Sequence, residues 1–211
     1  STSSRGLGDV YKRQLFLPEF FLVTAILTIV LYGSFYSVSR EHNYPLINVS
    51  TCWASVFTLV NTFFLIVFTR DVSGIIFNGT FICDLLSQNS KLFIIAATVV
   101  CLLISLPYIR NYKVNSFEYF LLILLSVLGL MLLCSSFDLI SVYLAIELQS
   151  LCLYVLAAFN RESAYSTEAG LKYFILGAFA SGLLLFGISI IYGFAGTTNF
   201  EDLHMLFTLD T

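Results

Sequence analysis

Val142-Tyr143-Leu144-Ala145-Ile146-Glu147-Leu148-Gln149-Ser150-Leu151 sets one carboxylate inside an apolar run that extends from Phe137 to Ala158. A helix needs about 20 predominantly apolar residues to cross a bilayer, and this run is long enough. Just before it, Ser135-Ser136-Phe137-Asp138 separates it from a second apolar run at about 117–134. A turn that tight makes the two helices antiparallel neighbours. Working outward, further apolar segments lie at about 15–36, 47–68, 91–109 and 167–194.

The predicted fold class is therefore all-α: a polytopic membrane protein of about six transmembrane helices, over 15–196. Composition agrees, with 58% hydrophobic and 11% charged residues. Soluble domains average about 25% charged residues, and so little charge does not cover a surface in water. A net charge of −3 gives no basic footprint, so no nucleic acid is expected as a partner. Membrane lipid is.

Residues 1–14 are polar, with Arg5, Lys12 and Arg13, and read as a segment outside the fold. Residues 197–211 read as a polar tail with a short amphipathic stretch. The first helix opens with Pro18-Glu19, a proline and a carboxylate suited to a first turn. A polar connection holding Asn78, Asp84 and Gln88 precedes the third helix, which the apolar pattern starts at Lys91. Loops one, three and five carry Arg40, Arg110, Lys113 and Arg161, against Arg70 and Lys91 on the other side. By the positive-inside rule the odd loops face the cytoplasm or matrix, and both termini the opposite compartment.

Glu147 is the leading candidate for chemistry. A charged carboxylate at that depth costs about 2.5–3.5 kcal/mol on insertion scales, and such residues usually mark an ion or proton path. The competing reading is a protonated glutamate bonding another helix as structural glue. Lys172, in Thr167-Glu168-Ala169-Gly170-Leu171-Lys172, is the second candidate. Glu168 stands four residues before it, in the favourable order for a helical ion pair. Lys172 also has a plain interfacial reading, with the lysine snorkelling out. The spaced pairs Gly177/Ser181 and Ala178/Gly182 on the sixth helix signal close helix packing. Asp138 and Glu118 read as helix-start caps. Five scattered cysteines and two lone histidines, His42 and His204, show no metal-ligand spacing. No metal and no cofactor is expected in this chain. The sequons at Asn48 and Asn78 read as chance matches.

The run from Asp138 to Ala158 resembles the NADH dehydrogenase subunit 2 family, antiporter-like subunits in the membrane arm of mitochondrial respiratory complex I. Ser166 to Gly187, Phe117-Glu118-Tyr119-Phe120 and Leu17-Pro18-Glu19 continue the likeness in order, most closely to plant and algal forms. The sister subunits 4 and 5 usually carry a proline soon after the equivalent glutamate, where Leu148-Gln149-Ser150 stands here. The resemblance implies the N-terminal part of an inverted-repeat fold. It also implies proton translocation within NADH:ubiquinone oxidoreductase, in the mitochondrial inner membrane, with no redox centre or substrate site in this subunit. Glu147 matches a proton-translocating glutamate of the fifth helix, and Lys172 an ionisable lysine of the sixth, beside Glu168. Implied partners are the other membrane-arm subunits.

Family members continue into a seventh helix with a further lysine, and then into a second repeat, none of which precedes Thr211. The expectation is that another polypeptide supplies the C-terminal half, the alternative being a remainder of this same chain. Two other functions compete: a purely structural scaffold in the membrane arm, and a cation/proton antiporter of the related multi-subunit type. Water beside Glu147 favours transport over scaffold; co-purifying partners identify the antiporter.

Overall fold

The computed structural model describes residues 15–36, 46–70, 73–111 and 117–209. Among the described residues, six helices are long and apolar enough to cross a membrane. In chain order they are α1 (Leu17–Tyr36), α2 (Leu46–Phe68), α3 (Leu85–Asn111), α4 (Glu118–Ser135), α5 (Leu139–Ala157) and α6 (Ala164–Ala195). Between α2 and α3 lies an antiparallel hairpin, β1 (Gly74–Ile76) with β2 (Phe81–Cys83). A short helix, α7 (Phe200–Leu209), follows α6. Arg40, His42, Lys113 and residues 1–14 lie outside the described residues.

Helices α1 to α4 share one core, with α4 touching each of the other three. Leu22, Leu59, Leu102, Phe120, Leu124 and Met131 are its most enclosed side chains. Each helix contributes at helical spacing, as Cys52, Ser55, Leu59, Thr62 and Ile66 do on α2. The buried hydroxyls on that stripe satisfy themselves on their own helix: Ser55 Oγ donates to the Thr51 carbonyl at 2.8 Å, and Thr62 Oγ1 to the Thr58 carbonyl at 2.8 Å. Helix α5 packs on α4, and α6 chiefly on α5, so the chain ends in a flank of two helices beside a four-helix core.

The structure departs from the sequence reading between α2 and α3. The polar connection is partly a hairpin, and its second half is helix. Helix α3 starts at Leu85, so Ser87, Gln88 and Lys91 lie inside it and are buried. The physical reason is that the core stripe runs back past the apolar segment: Gln88, Lys91, Ile95, Leu102 and Ile109 recur at helical spacing.

One end of the bundle is tied together by backbone and polar side chains. The hairpin turn holds Phe77, Asn78 and Gly79 at positive φ. Gly79 is required there twice over: its φ is +91°, and a Cβ on it would lie 2.7 Å from Asn199 Nδ2. That nitrogen donates to the Gly79 carbonyl at 2.8 Å. Phe137 N–H donates to the Thr80 carbonyl and Leu139 N–H to the Thr198 carbonyl. The hairpin, the α4–α5 turn and the α6–α7 junction thus meet on one face, as alternating spans require. Phe16, just before α1, packs edge-on against Phe77 at 5.2 Å on the same face.

Helix α6 has 32 residues. At about 1.5 Å rise each it exceeds the roughly 30 Å hydrocarbon core, so it tilts or protrudes.

Candidate functional site

Asp138 begins the site by fixing α5. Its Oδ1 accepts from Ile140 N at 2.7 Å, capping the helix as the sequence reading held, while Oδ2 accepts from Thr198 Oγ1 at 2.9 Å. Glu147 follows nine positions later, about 13 Å along the axis, near the middle of the helix. Helix α4 meets α5 at Gly129, where a Cβ would lie 3.0 Å from Gln149 N and 3.1 Å from the Ala145 carbonyl. Ala145 and Gln149 therefore define the α4 side of α5. Glu147, two positions from each, is turned about 200° away at 100° per residue. It lies on a stripe with Leu144, Leu151 and Tyr154, of which the first two are exposed.

Glu147 is thus half-buried, on the side of α5 opposite the shared core. Among the described residues no hydrogen bond or ion pair reaches its carboxylate.

Lys172 and Glu168 are brought together, at Nζ–Oε1 2.5 Å, with side chains 71% and 58% exposed. They do not meet Glu147. Helix α6 turns Gly170 to Ala158 and Gly177 to Tyr154 of α5. Tyr154 also meets Tyr173 and Phe174 edge-on, at 4.7 and 5.7 Å. Lys172, two positions beyond Gly170, points about 200° away from that contact. Of the small residues expected to carry packing, Gly177 does so, since a Cβ there would collide with the Tyr154 hydroxyl; beside Gly182 there is open space.

A second ionisable pair, across two helices, is not visible in the sequence spacing. Lys91 Nζ on α3 donates to Glu19 Oε1 on α1 at 2.5 Å, with side chains only 3% and 1% exposed. Glu19 is not simply a dipole-complementing carboxylate, nor is Lys91 a loop charge. The available signal, for Lys91 alone, was the helical spacing of Gln88, Lys91 and Ile95. Nearby, Cys83 Sγ on β2 contacts the Leu15 carbonyl at 3.8 Å, and burial pushes its thiol above the ordinary range while Lys91 pulls it down. Among the described residues no three His, Cys, Asp or Glu side chains converge as metal ligands.

The fold is that of a polytopic helical membrane domain, and residues 136–210 match a family model described as NADH:quinone oxidoreductase/Mrp antiporter, TM. Over about 90% of its length the chain is similar to subunit 2 of that complex and its bacterial counterpart. It is 43% identical over 193 residues to NADH-ubiquinone oxidoreductase chain 2 of Marchantia polymorpha, covering 90% of this chain and 39% of that protein. It is 44% identical over 194 residues to NADH-quinone oxidoreductase subunit N of Paramagnetospirillum magneticum, covering 90% and 38%. Among solved structures, respiratory complex I from Thermus thermophilus with bound aureothin contains a chain that matches with a TM-score of 0.70 at 26% identity, over 86% of this chain and 38% of that one. The membrane-bound sulfane sulfur reductase, an archaeal respiratory membrane complex, shares the fold, with a TM-score of 0.71 at 20% identity over 91% of this chain and 39% of that one. The resemblance read from Asp138 to Gly187 is borne out, and the chain spans about two-fifths of the length of these relatives.

Proposed function

We propose that this chain supplies the N-terminal half of the proton path of an antiporter-like subunit in a proton-translocating NADH:ubiquinone oxidoreductase. Glu147 is the observation that carries the reading. It is a mid-helix carboxylate, half-buried, that α5 turns away from the shared core, with no partner among the described residues. A fixed structural glutamate needs a bonded neighbour; a loading site needs a neighbour whose charge changes. Glu147 takes up a proton when a nearby positive charge withdraws and releases it when that charge returns. The bonds broken and formed are O–H bonds only, and no redox centre is assigned to this chain.

Lys172, with Glu168, is the nearest candidate for that moving charge on α6, reached through helices packed on its exposed side. The wide apolar face of α6, from Leu171 to Phe194, supports docking of the remaining helices of the path there. Expected partners are the other membrane-arm subunits. The likeness to plant chain 2 proteins such as that of Arabidopsis thaliana supports an assignment to the mitochondrial inner membrane. The hairpin face, and with it the start of α1, is assigned to the intermembrane space. Moving Lys91 from loop to core takes one cation off that face and strengthens the charge argument.

Glu147→Gln in the assembled complex is the direct test: assembly is retained and the proton-to-electron ratio falls. A normal ratio in that variant removes Glu147 from the path and leaves the scaffold reading, which shares the fold but needs no titrating group.

A further inference from the structure

The seam between α2 and α3 is closed by polar bonds at the hairpin end and hollowed deeper in the bundle. At the hairpin end Arg70 Nη2 donates to Asn89 Oδ1 at 3.1 Å, and Gln88 Nε2 to the Thr69 carbonyl at 3.4 Å. Deeper, Val60, Phe63 and Phe64 of α2 and Ile95, Ala96 and Val99 of α3 line a groove of about 330 Å³. Ligand sites commonly have volumes of about 300–1,000 Å³. Every lining side chain is apolar, so none of them holds water or a polar ligand.

Arg70 and Asn89 stand over this groove. Arg70 comes seven positions after Phe63, and Asn89 seven before Ala96. Seven residues make almost two turns at about 3.6 residues each, so each polar residue shares a stripe with one wall of the groove. The helical turn carries on to Arg70, since Thr69 N–H donates to the Leu65 carbonyl and Arg70 N–H to the Val67 carbonyl. On α2 the groove then runs about 9–15 Å below Arg70, at about 1.5 Å per residue. That depth lies within the nearer half of a roughly 30 Å hydrocarbon core.

Arg70 is exposed, and among the described residues no carboxylate pairs with it. Asp71 follows it, outside the described residues. A guanidinium presents a planar fork of N–H donors that matches a phosphate. The bond to Asn89 fixes that fork over the seam and leaves further donors for a ligand. A cation at the interface with an apolar trough beneath it has the layout of a phospholipid, phosphate above and acyl chain below. We propose that the α2–α3 seam binds an anionic glycerophospholipid of the hairpin-side leaflet, its phosphate on Arg70 and one acyl chain in the groove. An apolar helix laid in the groove satisfies the trough but not the guanidinium; one lipid satisfies both. The site uses neither α5 nor α6, so it stands or falls separately from Glu147.

Photolabelling of the intact, detergent-solubilised complex with a phosphatidylglycerol carrying a diazirine on one acyl chain tests the assignment. Peptide mapping is expected to place label on residues 60–64 and 95–99, competed by unlabelled phosphatidylglycerol and not by equal phosphatidylcholine. Arg70→Gln removes a charge-assisted contact and lowers that labelling about tenfold, with label elsewhere on the chain unchanged. Ala96→Phe is the second arm: at an exposed position of α3 the ring fills the groove, and label there is lost while assembly is retained. Label that both lipids compete equally and that Arg70→Gln leaves unchanged comes from a non-specific lipid annulus and overturns the proposal. Absence of label from both segments, as when a neighbouring helix covers the groove, equally overturns it.

Discussion

Two lysine–glutamate pairs of equal length, Glu19–Lys91 and Glu168–Lys172, occupy opposite settings. The second is a pair within one helical turn on an exposed face; the first joins two helices across an enclosed core. The local pair is visible from spacing alone and contributes little, because solvent or lipid headgroups compete for both ends. The enclosed pair carries far more at stake, since taking one partner away strands the other in a low-dielectric interior. Equal geometry therefore says little about energetic weight; burial decides it.

The largest effect expected from breaking this comparison comes from the enclosed pair. Lys91→Met alone, leaving Glu19 stranded, costs about 3–5 kcal/mol and lowers the yield of assembled complex on native gels. Yield equal to the native complex shows that the two pairs are energetically alike. Next comes the hairpin tie. Gly79→Ala forces a Cβ against the Asn199 amide at a positive φ and costs about 1–3 kcal/mol, read as a lower inactivation temperature. Asp138→Ala removes the cap of α5 and its bond to Thr198, costing about 1 kcal/mol by the same measurement. Smallest is Lys172→Ala: stability changes by less than about 0.5 kcal/mol. A pumping ratio that falls without that loss of stability sharpens the comparison by giving the exposed pair a transport role; an unchanged ratio removes Lys172 from the path.

Most of the fold was legible because a bilayer imposes length and composition together. The segments at 15–36, 47–68, 117–134, 137–158 and 167–194 correspond to α1, α2, α4, α5 and α6 within a few residues at each end. The third helix reads short in apolar content because its first turns carry Ser87, Gln88 and Lys91. In α3, Ser87, Gln88 and Lys91 are enclosed by packing against other helices, and no property of the segment alone reports that. The site was half legible. Glu147 stands out because a carboxylate amid apolar residues needs no partner to be conspicuous. Its direction was not: a helix position has a face only once α4 is known to touch Ala145 and Gln149.

Sequence by itself determined the apolar spans, the tight α4–α5 turn, the Asp138 cap and the resemblance to antiporter-like subunits, since each rests on local composition, spacing or a continuous motif. Tertiary structure alone decided three further things. It joined Glu19 to Lys91 across 72 positions, tied Asn199 to Gly79 across 120, and turned Glu147 away from the shared core while setting Lys172 on the far side of α6. These are relations between distant parts of the chain. Their physical cause is which helix faces meet, which becomes fixed only when the whole bundle packs.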